Sequence, residues 1–157
     1  MSIFETLQWV QGTELGIALR KSNHLVGASF QFAHVLGIVL LLASVTLMSL
    51  RLLGLAFVKQ APARIVETGN KVLGLSLAVV VISGTLIFLS GPVRYYSNEF
   101  FRIKIVVLVA ALLFQASLFR VVSQRAARYP LAAKAVAIVS LLLWFGVGAS
   151  ARMIGFI

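Results

Sequence analysis

The chain has 157 residues, 61% of them hydrophobic and only 11% charged, with a mean hydropathy of +1.03. Soluble domains run at roughly 45–50% apolar, and one of this length could not cover so much apolar side chain with polar surface. Fourteen Lys and Arg stand against four Glu and no Asp, a net charge of +10. These charges fall between long apolar runs, so they read as flanks of membrane spans that set orientation and meet anionic head groups, not as a nucleic-acid surface. The absence of cysteine excludes disulfides, thiolate metal sites, iron–sulfur clusters and covalent c-type haem attachment.

Residues 3–20 mix Ile3, Phe4, Leu7, Val10 and Leu15 with Glu5, Gln8, Gln11, Glu14 and Arg20. That is too polar to span a bilayer. It predicts one or two short interfacial helices interrupted at Gly12, with Trp9 at head-group level. No cleavable leader is visible, because a basic start followed by a short apolar core is missing. A span needs about 20 mostly apolar residues, and four runs qualify, at about 24–50, 71–90, 99–122 and 131–151. Asn23 and Asn98 are placed to cap the first and third, while Gly91-Pro92 stops the second and Tyr129-Pro130 starts the fourth. The expected architecture is all-α: a single membrane domain, 1–157, built as a four-transmembrane-helix bundle with a short amphipathic N-terminal segment.

Orientation follows Lys and Arg in short loops. The loops after spans one and three carry Arg51, Lys59, Arg64, Lys71, Arg120, Arg125, Arg128 and Lys134, eight in all, and the opposite end carries Arg20, Lys21, Arg94, Arg102, Lys104 and Arg152, which is six. This asymmetry puts both termini outside the cytoplasm, periplasmic for a bacterial inner membrane.

Chemistry centres on His34. It lies ten residues past His24, so about 15 Å deeper along the helix, and an ionisable side chain at that depth marks a functional site by default. The plainer reading is a hydrogen bond that glues two helices. Gln31 lies one turn earlier, and Ser83, Thr85, Gln115, Ser117 and Ser140 at similar depth would complete a polar layer. A neutral imidazole there could ligate haem b iron, accept a quinone hydrogen bond or relay a proton. His24 and His34 point roughly 80° apart at 100° per residue and cannot clamp one iron. His34 is therefore the candidate haem ligand, with His24 a weaker metal candidate at the interface. Gln31 or a facing Ser or Gln would fix the second ring nitrogen. Arg94, Arg102, Lys104 and Arg152 at the outer end could pair with propionates or an anionic substrate, or snorkel to lipid phosphates. No hydrolase, zinc, calcium, P-loop or dinucleotide pattern is present.

The segments Leu7-Gln8-Trp9, Ala18 to Ser22, Ala33-His34-Val35-Leu36-Gly37, Ser49 to Gly54, Ser83 to Phe88, Tyr95 to Lys104 and Trp144 to Phe156 resemble an uncharacterised family of small bacterial inner-membrane proteins. More distantly the chain is similar to copper-resistance D proteins and HemJ-type protoporphyrinogen oxidases, with His34, Arg51 and Lys104 in the places of their His, Arg and Lys. That resemblance implies a haem b or copper connection through His34. Ser49 stands where the close family usually has Asp, and Arg120 where a His often closes the third helix.

Three functions are therefore in view. The first is a haem b-binding or quinone-associated redox subunit of a larger assembly. The others are a cofactor-free structural subunit held through its helices, and a copper or small-solute permease. So small a bundle, rich in Gly, is expected to form a homo-oligomer or to join other membrane subunits in the lipid bilayer. The topology is tested by a reporter fused after Ile157: the charge asymmetry predicts activity for a periplasmic reporter, and activity of a cytoplasm-only reporter would invert the orientation.

Overall fold

The computed structural model describes residues 2–154. Met1, the Gly155 and Phe156 that end the closing segment quoted above, and Ile157 lie outside them. Every regular element among the described residues is helical.

The N-terminal stretch forms α1 (Ile3–Gly12) and α2 (Glu14–Lys21). Ser2 and Glu5 close a reciprocal capping box at the start of α1, satisfying two otherwise orphaned N–H groups. The break falls at Thr13, whose extended backbone ends α1 and whose hydroxyl accepts from Gly16 N–H to cap α2. Trp9 is exposed, as an interfacial ring should be.

Four helices are long and apolar enough to cross a membrane: α3 (His24–Leu53), α4 (Pro62–Leu89), the third span Glu99–Gln124 and α8 (Pro130–Met153). The molecule is thus a multi-pass membrane protein. At 30 residues α3 is about 45 Å long, more than the hydrocarbon core of roughly 30 Å. Asn23 caps its start, and Gly54 ends it at φ 79°, a left-handed position that glycine adopts without strain. Helix α4 begins at Pro62, well ahead of the apolar run near 71. Proline at the first helical position loses no hydrogen bond. Val66 is buried, and a Lys71–Glu67 pair at 2.9 Å closes over one exposed turn. The polar residues of this turn hid its helix from a hydropathy reading.

A short helix, α5 (Pro92–Ser97), fills the loop between α4 and the third span and packs on α1. The third span is not one regular helix. It runs as α6 (Glu99–Phe114), a π-helical turn (Gln115–Phe119) and α7 (Arg120–Gln124). The wider turn buries both Gln115 and Phe119, and such π-turns gather at functional sites.

Helices α3 and α8 form the centre; α4 lies along α3, and α6 lies along α8. Helix α4 meets the third span mainly through α7, which leaves a cleft between α4 and α6. The core is Leu41, Val45, Met48 and Leu52 of α3 against Val66 and Leu73 of α4, with Ala111, Phe119, Ala137 and Trp144 on the other side. Close approach of α3 and α4 depends on glycine. A Cβ on Gly37 would lie 2.8 Å from Val80 Cγ2, and one on Gly69 would run into the fully buried Met48.

Two substitutions in α4 separate packing from helix propensity. Gly69→Ala forces Met48 from its rotamer and is expected to cost about 1–3 kcal/mol, the usual range for overpacking. Gly74→Ala, where nothing lies within 4 Å, should melt at or above the parent temperature. Thermal unfolding in one detergent checks both, and equal melting temperatures would refute the packing argument.

Candidate functional site

The end of the bundle where α3 begins and α4 ends holds the only close polar contact between α3 and α4 side chains among the described residues. His34 Nδ1 lies 3.0 Å from Ser83 Oγ. The direction of that bond follows from Ser83 itself. Its hydroxyl donates to the Val79 carbonyl at 2.6 Å, so its single proton is already placed. With that proton so placed, Ser83 Oγ is left to accept from His34, the arrangement of the Nδ1–H tautomer, in which Nε2 carries the free lone pair. Orienting an imidazole through its far nitrogen in this way is how proteins ready the near one for a ligand or a proton.

Gly84 makes the contact possible. A Cβ there would stand 2.9 Å from His34 Cε1, so only glycine lets the Cε1 edge of the imidazole pack against α4. His34 then lines a cavity of about 360 Å³, walled by Ile38, Gly84, Phe88, Tyr95, Phe101 and Lys104 and closed by Gly148 and Arg152 from α8. Phe88 and Phe101 stack with centroids 5.4 Å apart, and Tyr95 leans on both. Lys104 Nζ sits 6.0 Å from the Phe101 centroid, within reach of a cation–π attraction. A smaller void of about 40 Å³ continues inward past His34 and Lys104 to Trp144. The site is a largely apolar slot whose polar lining is His34, Tyr95, Lys104 and Arg152.

The other residues singled out in the sequence fall elsewhere. Gln31 is exposed and lines a separate outer hollow with His24, Arg20 and Ser90. Ser83, not Gln31, orients the His34 ring. Arg102 and Arg94 point away from the cavity and are exposed, whereas Lys104, one helical position beyond Ile103, turns in. Thr85 and Ser117 bond back to carbonyls of their own helices.

Gln115 forms a second polar cluster with α8. Ser140 Oγ donates to Gln115 Oε1 at 3.0 Å and Trp144 Nε1 donates to the same oxygen at 3.4 Å. Indole N–H is a donor only, so this bond fixes which end of the amide faces α8. The Nε2 group is buried with no hydrogen-bond partner among the described residues, a cost of about 1–3 kcal/mol wherever nothing accepts from it. The sequence placed Gln115 and His34 in one layer; the helix register places them in different cavities. No three of His, Cys, Asp or Glu converge among the described residues.

The comparisons with known proteins come to one match: residues 6–157 fit the family of unknown function DUF6644. No curated protein and no solved structure matches the chain.

The Ser83 relay is open to direct test by imidazole ¹⁵N NMR of the protein labelled at histidine. His34 should report the Nδ1–H tautomer, and Ser83→Ala should collapse that signature while leaving His24 unmoved. An Nε2–H tautomer in the parent would reverse the assignment of the free lone pair.

Proposed function

The chain belongs to this family of unknown function, and we propose that it is a quinone-binding subunit of a redox assembly in the bacterial inner membrane. The observation that carries the reading is the bare His34 Nε2, held by Ser83 at the wall of an apolar slot that also contains Lys104. A quinol ring, the reduced form of a quinone, needs a hydrogen-bond partner at each hydroxyl and flat apolar walls. His34 Nε2 accepts from a quinol hydroxyl and can take its proton. Lys104 donates to the opposite oxygen, and the Phe88 and Phe101 rings offer faces for stacking. The slot of about 360 Å³ is at the low end of ligand pockets, which run from about 300 to 1,000 Å³. That suits a single ring with its tail running out between helices. Electrons would pass to another subunit, consistent with a bundle that has little mass outside the membrane.

Haem b is the second reading, favoured by the same Nε2 and by Lys104 and Arg152 as carboxylate partners. It asks for a macrocycle in a slot sized for one ring, and His24, in a different hollow, supplies no second ligand. Copper finds only one imidazole in the slot.

The test uses Trp144, which lies beside the inner void. In a Trp9→Phe background it is the remaining tryptophan. Decylubiquinol, whose hydroxyl can donate to His34 Nε2, should quench its fluorescence saturably. His34→Ala and Lys104→Gln should each weaken binding by about tenfold, the worth of one buried hydrogen bond. Unsaturable quenching, or binding indifferent to His34→Ala, would favour a cofactor-free structural subunit. A Soret band after expression with ample haem, lost in His34→Ala and kept in His24→Ala, would move the assignment to haem b.

A further inference from the structure

The cleft between α4 and the third span is a second cavity, larger than the His34 slot at about 650 Å³ and at the opposite end of the bundle. Its walls are apolar in depth, with Leu73 and Leu77 from α4 and Leu112 from α6. Its mouth is polar. Lys71 is engaged by Glu67, while Arg120 is exposed and makes no ion pair among the described residues. Roughly one turn deeper than Arg120, the Gln115 side chain also lines this cleft. Gln115 is only 6% exposed. Its oxygen is turned to Ser140 and Trp144, and its buried NH₂ group has no partner among the described residues.

These features are layered in depth as a phospholipid is. A cation sits at the mouth, a hydrogen-bond donor one turn below it, and aliphatic walls below that. We infer that this cleft binds one anionic phospholipid, with its phosphate on Arg120, an acyl-ester carbonyl on the Gln115 amide and an acyl chain along Leu73, Leu77 and Leu112. An ester carbonyl is an acceptor without a donor, which is what the Gln115 NH₂ lacks. The mouth belongs to the end of the bundle that carries Arg51, Lys59, Arg64, Arg125, Arg128 and Lys134. That concentration of cations favours a net negative head group over a zwitterionic one. The π-helical turn is part of the site, because it sets Gln115 inward at the point where α4 and α6 part.

The full-length protein, purified in a mild detergent, is titrated with dioleoyl phosphatidylglycerol or dioleoyl phosphatidylcholine and read by native mass spectrometry. The parent should retain a single phosphatidylglycerol with at least about fivefold preference, the worth of one basic residue at a lipid surface. Arg120→Gln should bring phosphatidylglycerol down to the phosphatidylcholine level. Gln115→Leu should weaken both lipids by a similar factor. Ala116→Phe, an exposed position on the cleft wall, should plug the groove and abolish the single adduct without disturbing the core. A parent that holds both lipids equally, or an adduct unmoved by Arg120→Gln and Ala116→Phe, would make the lipid annular and overturn the inference. None of these variants touches the His34 slot, so decylubiquinol binding should survive all of them.

Discussion

A serine hydroxyl has one proton, and Ser83 gives it to the Val79 carbonyl. Much of the outer half of the bundle depends on that. The oxygen left over is placed to accept, which favours Nδ1–H in the imidazole that meets it, the tautomer that leaves Nε2 unprotonated. For the two groups to meet, α3 and α4 must approach to side-chain contact at residue 34, and Gly84 allows this by offering His34 no Cβ to strike. The polar bond is thus set by a packing choice one residue along the same helix.

The same choice recurs down the α3–α4 seam. Gly37 faces Val80 and the Ser76 carbonyl, and Gly69 receives Met48. Between helices in lipid, burial of apolar surface offers little drive, because acyl chains are as apolar as leucine; close van der Waals contact takes its place. Small residues matter more here than large ones. The buried serines of the interior follow from this, since Ser44 and Ser150 return their hydroxyl protons to carbonyls of their own helices and pack almost as alanine would. Large aliphatics such as Leu75, Val106, Leu113 and Leu142 are turned outward.

What was legible in the sequence follows from what lipid demands. Backbone groups in hydrocarbon must pair within the segment, so an apolar run long enough to span has to be a helix, and the four runs declared themselves. The chain outside that constraint was less legible. The start of α4 is helical because Pro62 opens it and Val66 is buried in the core, yet its exposed face carries Arg64, Glu67 and Lys71 and reads as loop. The π turn leaves no mark in Leu113-Phe114-Gln115-Ala116-Ser117, because one extra residue in a turn changes register without changing hydropathy. His34 could be picked out by depth alone. Its partner could not, because Gln31 and Ser83 are equally eligible until the register of α4 against α3 is known.

That register also explains why the polar residues near mid-bundle do not form one layer. His34 is level with Ser83 and Gly84 near the outer end. Gln115 is level with Ser140 and Trp144 further in. Trp144 sits between, with its Nε1 on Gln115 and its ring at the inner end of the void beneath His34. An indole with its N–H engaged is an apolar plug, and this one is fully buried. It stands between the two polar clusters, and among the described residues no side-chain hydrogen bond links His34 to Gln115. Two cavities of different character share one small bundle. One is an aromatic slot with a basic nitrogen; the other is an aliphatic cleft with an amide donor. Each is tied to its own end of the membrane by the charges at its mouth.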